Sequence, residues 1–175
     1  MLRFLQRILG AAVLLPSVYE EVEADRKALP QALIVVALSS LATGVLYLPN
    51  AGALGLLAGL AASLVGWLCW SWLAYHIGVR WLAAKQTEAT WGELLRTTGF
   101  AAAPGIVRFA GIVATDPFPV MLLTTVWMLV AFVIAVRQAL DFEQTWRAVV
   151  VCGLGWIIYG GILIVLPQAC RLPGP

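Results

Sequence analysis

The chain has 175 residues, a net charge of +2, and 11% charged against 62% hydrophobic side chains, with a mean hydropathy of +0.92. Soluble domains carry about a quarter charged residues, so this composition excludes an ordinary water-soluble domain, and so small a net charge excludes nucleic acid as a partner. The three cysteines, Cys69, Cys152 and Cys170, have no paired spacing, which leaves neither a zinc site nor a disulfide framework to read.

From the start of the chain, Arg3 and Arg7 precede an apolar run that ends at Leu15. A signal peptide would need a small-x-small cleavage site, but Pro16 and an acidic stretch follow instead. The segment reads as an amphipathic helix in the inner membrane interface, with Leu2, Leu5, Leu9 and Ala12 toward lipid. Ser17 and Glu20 have capping-box spacing and open a short helix. Its acidic start (Glu20, Glu21, Glu23) and basic end (Arg26, Lys27) suit the helix dipole. Residues 1–30 form this cytoplasmic segment and residues 31–170 the membrane domain.

No charge occurs between Ala28 and Val79. Since one helical crossing takes about 20 apolar residues, this run holds two, Gln31–Leu48 and Ala53–Val79, turning at Leu48–Gly52. The later crossings are Thr97–Thr115, Phe118–Val136 and Ala148–Pro167. Capping-box spacing recurs at Thr90/Glu93 and Asp141/Gln144, at the starts of helices that continue into the third and fifth crossings. Lipid leaves no partner for exposed backbone amides, so each crossing is a helix unless protein covers it. The predicted fold is therefore all-α, a polytopic bundle of five transmembrane helices with an interfacial N-terminal segment.

Basic residues fall in alternate loops. The N-terminal segment and the second and fourth loops carry nine Lys and Arg, against at most two, Arg108 and Arg171, on the other side. Cytoplasmic loops hold this excess, which puts the N-terminus inside and the C-terminus outside a cell membrane, the bacterial inner membrane by preference.

The segment Gly99-Phe100-Ala101-Ala102-Ala103-Pro104 resembles the Gly-Tyr-Ser-x-x-Pro signature near the start of the third span in the Yip family of Ypt-interacting proteins. Gly99 and Pro104 match that signature, while Phe100 and Ala101 replace Tyr and Ser. Thr87–Pro104 and Val136–Ala148 look like the bacterial branch of the family. The resemblance implies five spans with a cytoplasmic N-terminus. Eukaryotic members carry a long N-terminal region with an Asp-x-x-Gly-Pro-type motif and are implicated in vesicle traffic and in contacts with prenylated Rab-type GTPases. This chain has no such motif, so GTPase binding is not carried over.

Several residues stand out chemically. Arg108 lies roughly 18 Å beyond Arg96 if the third span is an α-helix, deep in a core of about 30 Å. It either snorkels to the outer headgroups near Asp116 or lines a substrate path opened by Gly99, Pro104, Gly105 and Gly111. His76 is the single histidine, with no carboxylate on its span, and reads as interfacial rather than as a proton relay. Glu20, Glu21, Asp25, Glu93, Arg96, Arg137, Asp141 and Arg147 gather on the inner face, as an ion-pair network or a partner surface. Gly55, Gly59 and Ser63 form a small-residue face for packing against another helix, in the same chain or in a second copy. Trp81, Trp91 and Trp146 suit an inner aromatic belt, whereas Trp67, Trp127 and Trp156 fall between helices.

No nucleophile elbow, phosphate loop, dinucleotide glycine pattern or zinc-protease helix occurs in the sequence. No catalytic, cofactor-binding or metal-binding residue is therefore assigned, and no cofactor is expected. The sequence points to a non-enzymatic membrane scaffold or adaptor. Its expected partners are membrane lipids and a membrane or cytoplasmic protein at the inner face, with self-association open to it. The alternative is a small transporter or channel with Arg108 and the Gly/Pro-rich third span along the path.

Overall fold

The computed structural model of the protein describes residues 2–82 and 89–169, with side chains through Ile158 except at positions 47 and 49–51. Lys85, Cys170 and Arg171 lie outside the described residues. Among the described residues there is no strand. The α-helices are α1 (Leu2–Ala12), α2 (Pro16–Ala24), α3 (Leu29–His76), α4 (Trp91–Phe100), α5 (Phe118–Ala139) and α6 (Thr145–Ala169).

α3 is two helices in sequence. At Gly52 the backbone adopts φ 64° and ψ −177°, a conformation open essentially to glycine alone. The limbs on either side run back along each other: a Cβ at Gly44 would touch Leu56, and one at Gly99 would touch both Ala32 and Trp67. Three stretches among the described residues are long and apolar enough to cross a bilayer, namely Arg26–Leu46, Gly52–Trp81 and Phe118–Ala139. α6, the predicted fifth span, is apolar over Thr145–Ile158.

The third predicted span is not one α-helix. Pro104 has no N–H and its ring collides with the carbonyl four residues earlier; that residue is Phe100, where α4 ends. The chain continues as a 3-10 helix over Ala103–Val113, far longer than the usual three or four residues. Every residue from Leu94 to Gly105 is buried, with α4 and the 3-10 helix packed between α3 and α5. Beyond Gly105 the 3-10 helix exposes Val107, Phe109, Ile112 and Val113, and there its own i→i+3 bonds satisfy the backbone. At about 1.5 Å per α-helical and about 2.0 Å per 3-10 residue, the two pieces span roughly 37 Å.

α1 has the expected apolar face, with Leu2, Leu5 and Leu9 exposed. Its opposite face buries Arg7, Gly10 and Ala11, and Ala12 packs against the core. The helix leans into the bundle: Phe4 meets Phe100 edge-on at 6.4 Å, and Trp127, midway along α5, donates to the Ala12 carbonyl at 2.7 Å. α1 closes with the paired bonds of a Schellman turn, from the Leu14 N–H to Ala11 O and from the Leu15 N–H to Gly10 O. Leu14 takes the left-handed position, φ 64°.

Of the three capping boxes read from the sequence, only Thr90/Glu93 forms, with both reciprocal bonds present. Ser17 is not a cap, because Pro16 opens α2 and Leu15 holds the N-cap position. Asp141 lies in a turn at φ 50°, and α6 starts later, at Thr145. Glu143 therefore precedes α6. Trp81, Trp91 and Trp146 are exposed at the end of the bundle that carries α1 and α2, whereas Trp67 is buried.

Candidate functional site

Two regions concentrate polar chemistry. The first is the basic end of the bundle, where α1, α2, the start of α4, the end of α5 and the start of α6 converge. Arg7 is its centre. With a side chain only 2% exposed, it donates to Glu21 Oε1 at 3.1 and 2.9 Å, to Asp25 Oδ2 at 2.7 Å and to Gln31 Oε1 at 2.9 Å. Arg3 adds a 2.7 Å pair to the same Glu21 oxygen from the surface. Hydrogen bonds from Arg3 and then Arg7 hold the Glu21 carboxyl below its ordinary range. Arg7 and the Lys27 N–H do the same for Asp25.

The sequence reading gathered Glu21 and Asp25 into an inner-face network but did not give them Arg7. Arg3 and Arg7 enter that reading only as basic residues of the N-terminal segment. The available signal is a matched spacing: two arginines four apart on one short helix, and two carboxylates four apart beginning in the next.

The other residues of this face behave differently from an ion-pair lattice. Arg96, 7% exposed, donates from Nε to the main-chain carbonyls of Val22 at 3.0 Å and Glu23 at 3.1 Å, and from its terminal nitrogen to Glu23 O as well. It thereby caps the carbonyl end of α2, where a cation complements the dipole. Arg137 Nε donates to Phe142 O at 3.2 Å, and Arg147 reaches Leu82 O at 3.4 Å. Gln138 donates to Glu20 at 2.7 Å. Glu93 is engaged in its capping box. Asp141 and Glu20 are exposed.

Glu23 is a residue the sequence reading left out of the face. Burial, with the neighbouring charges of Asp141 and Glu93, pushes its carboxyl up to about 7, against the pull of Arg96. The fold therefore keeps a proton on Glu23 between the ordinary value of 4.5 and about 7, and stability falls as pH rises through that window. Glu23→Gln is expected to match the wild type at pH 4.5 and to exceed it at pH 8. The gain is about 1 kcal/mol once solvent screening at this half-buried group is discounted. Thermal unfolding midpoints at the two pH values check this.

The second region is a cavity of about 420 Å³ between the two limbs of α3, the 3-10 helix, α5 and α6. Arg108 is on its wall. Its Nε donates to Thr124 Oγ1 at 3.0 Å, and its terminal nitrogens donate to Thr43 and Thr125 Oγ1, both at 2.9 Å. Each threonine passes its own proton to a carbonyl in its helix: Thr43 to Ser39 O, Thr124 to Val120 O and Thr125 to Met121 O. The hydroxyl lone pairs thus hold the guanidinium in one orientation. Thr124 lies six residues into α5, so Arg108 sits about 9 Å from the start of α5, opposite the basic end. Asp116 Oδ1 accepts from the Phe118 N–H at 2.9 Å, at the start of α5.

Gly55, Gly59 and Ser63 line this same cavity, and a Cβ at Gly59 would meet nothing within 4 Å. The residues across from them, Ser39, Ser40 and Gly44, are also small; small against small leaves space. Trp70 closes the other end of the cavity, 7% exposed, edge-on to Phe132 at 4.9 Å. Its Nε1–H has no hydrogen-bond partner among the described residues.

His76 packs edge-on against Trp72 at 4.2 Å and Tyr75 at 5.3 Å, immediately before a π-helical turn at Ile77–Trp81. It is remote from Arg108. Among the described residues no three His, Cys, Asp or Glu side chains are grouped to hold a metal ion.

The signature residues occupy the crossing point of the fold. Gly99 lets α4 approach Ala32 and Trp67, Phe100 is wholly buried, and Pro104 is buried at the start of the 3-10 helix. No curated protein and no solved structure matches the chain. One domain family does, by its Yip1 domain, over residues 12–166. That match takes in the three membrane-length stretches and the broken segment with its Gly99 and Pro104, and the chain belongs to the Yip1 domain family.

Proposed function

We propose that this multi-pass membrane protein is a non-enzymatic scaffold whose basic end faces the cytoplasm and engages a membrane or cytoplasmic partner. In this reading the chain crosses the bilayer five times, the third time as α4 plus the 3-10 helix, with the N-terminus inside and the C-terminus outside. The excess of Lys and Arg at that end supports the orientation.

The observation that carries the reading is how that end is fastened. Arg7, Arg96, Gln138 and Trp127 tie α1 and α2 to α3, α4 and α5 through directional bonds. They produce one fixed surface that leaves Glu20, Asp141 and Glu143 exposed. A preformed surface loses little entropy when a partner docks.

A photo-crosslinker at Glu143 is expected to capture one stoichiometric partner, and the same probe at Val113, exposed at the other end, is expected to miss it. Charge reversal at Glu20 and Asp141 is expected to abolish capture while helicity is retained. Equal capture from both ends would overturn the scaffold reading.

Transport is the second reading, favoured by the position of Arg108 on the cavity wall. Its measurement is solute flux in reconstituted vesicles, lost on Arg108→Ala if that reading holds.

A further inference from the structure

We propose that the cavity between the limbs of α3 holds one anionic phospholipid, its phosphate against Arg108 and one acyl chain along the Gly55–Gly66 wall. The argument starts from shape. Between Gly55 and Gly66 the wall rises about 16 Å, and one leaflet's share of the hydrocarbon core is about 15 Å. A cavity of about 420 Å³ along that wall has room for one hydrocarbon chain.

Polarity then sets direction. The cavity is polar at the Arg108 end, where Ser39, Ser40 and Thr43 also line it, and apolar at the end closed by Trp67, Trp70 and Phe132. The polar end lies about 9 Å from the start of α5, toward the level of ester and phosphate groups, and the apolar end points toward the bilayer centre. A cation held rigidly by three threonine hydroxyls is complementary to an anion, and guanidinium is suited to phosphate oxygens. The surrounding bilayer supplies molecules with that charge at one end and a hydrocarbon chain at the other.

This site is independent of the scaffold reading, since it faces away from the partner surface. It separates from transport as well, because lipid occupancy and solute flux are different measurements.

The test counts lipid. Protein purified in mild detergent is extracted and its phospholipid quantified by mass spectrometry. Wild type is expected to retain about one phosphatidylglycerol per chain, enriched over the bulk membrane composition. Arg108→Gln removes the charge, and Gly59→Phe places a ring in space that a Cβ enters without contact. Both are expected to lower retention at least tenfold at unchanged helicity. Adding phosphatidylglycerol to delipidated wild type is expected to raise the thermal midpoint where phosphatidylcholine and inorganic phosphate do not. Retained lipid that mirrors the bulk in all three proteins overturns the proposal. So does stabilisation by phosphate alone, which would mean a free-anion site, or a dimer that Gly59→Phe dissociates with lipid content unchanged, which would mean a second copy occupies the groove.

Discussion

Arg7→Met is expected to unseat the N-terminal helix pair and to lower stability by about 3 kcal/mol. The substitution keeps most of the side-chain volume and removes four hydrogen bonds that converge on one buried guanidinium. Breaking a buried pair commonly costs 3–5 kcal/mol because the orphaned charge stays dry. Here Glu21 and Asp25 retain 38% and 29% exposure and can rehydrate, which places the loss at the lower end. Lysine is not expected to rescue it, since an ammonium cannot fork between two carboxylates and an amide. Arg3→Met, at a side chain 72% exposed, is the reference and costs less than about 1 kcal/mol. Limited proteolysis after α2, together with the thermal midpoint, reads both. The difference between wild type and Arg7→Met is present above the ordinary carboxylate range. It closes as pH falls through the lowered values of Glu21 and Asp25, because their protonation removes the same interaction.

The second large effect belongs to Gly99. An added Cβ would stand 2.6 Å from Ala32 Cβ and 3.2 Å from Ala32 Cα. Backbone cannot swing aside as a flexible side-chain tip can. Gly99→Ala is therefore expected to cost about 2 kcal/mol, and Gly99→Val about 3 kcal/mol or more, by prising α4 from the first limb of α3. Gly59→Ala is the control: it meets empty space and is expected to be neutral, or stabilising by up to about 1 kcal/mol through helix propensity. Thermal midpoints of the three variants in one detergent decide the matter. If Gly99→Ala and Gly59→Ala behave alike, close approach is not what Gly99 is for.

How much of this was legible in advance depends on what each residue answers to. Hydrocarbon imposes one rule on every crossing, and composition expresses it directly, so Arg26–Leu46, Gly52–Trp81 and Phe118–Ala139 fall close to where the apolar runs put them. The third segment obeys a second rule, because a proline inside an apolar run acts on the carbonyl four residues back. Pro104 flagged a possible break in the third span, but neither the end of α4 at Phe100 nor the long 3-10 helix beyond it, which packs against α3 and α5 on one side, follows from a local pattern. Gly55, Gly59 and Ser63 marked a small-residue face; what lies opposite them is set by tertiary structure, and equally small residues there line a cavity with them. Arg108 was singled out by its depth alone. Its threonine partners come from positions 43, 124 and 125, too far along the chain for any local pattern to connect.

The bonds that seat α1 and α2 also impose an order of assembly. Arg96 reaches Val22 across 74 positions, Trp127 reaches Ala12 across 115, and Gln138 reaches Glu20 across 118. A ribosome therefore completes the helix pair well before the groups that will clasp it exist. In that interval the exposed Leu2, Leu5 and Leu9 face moors the pair at the bilayer surface, and docking waits until α5 has been inserted. What is synthesised early is thus seated late.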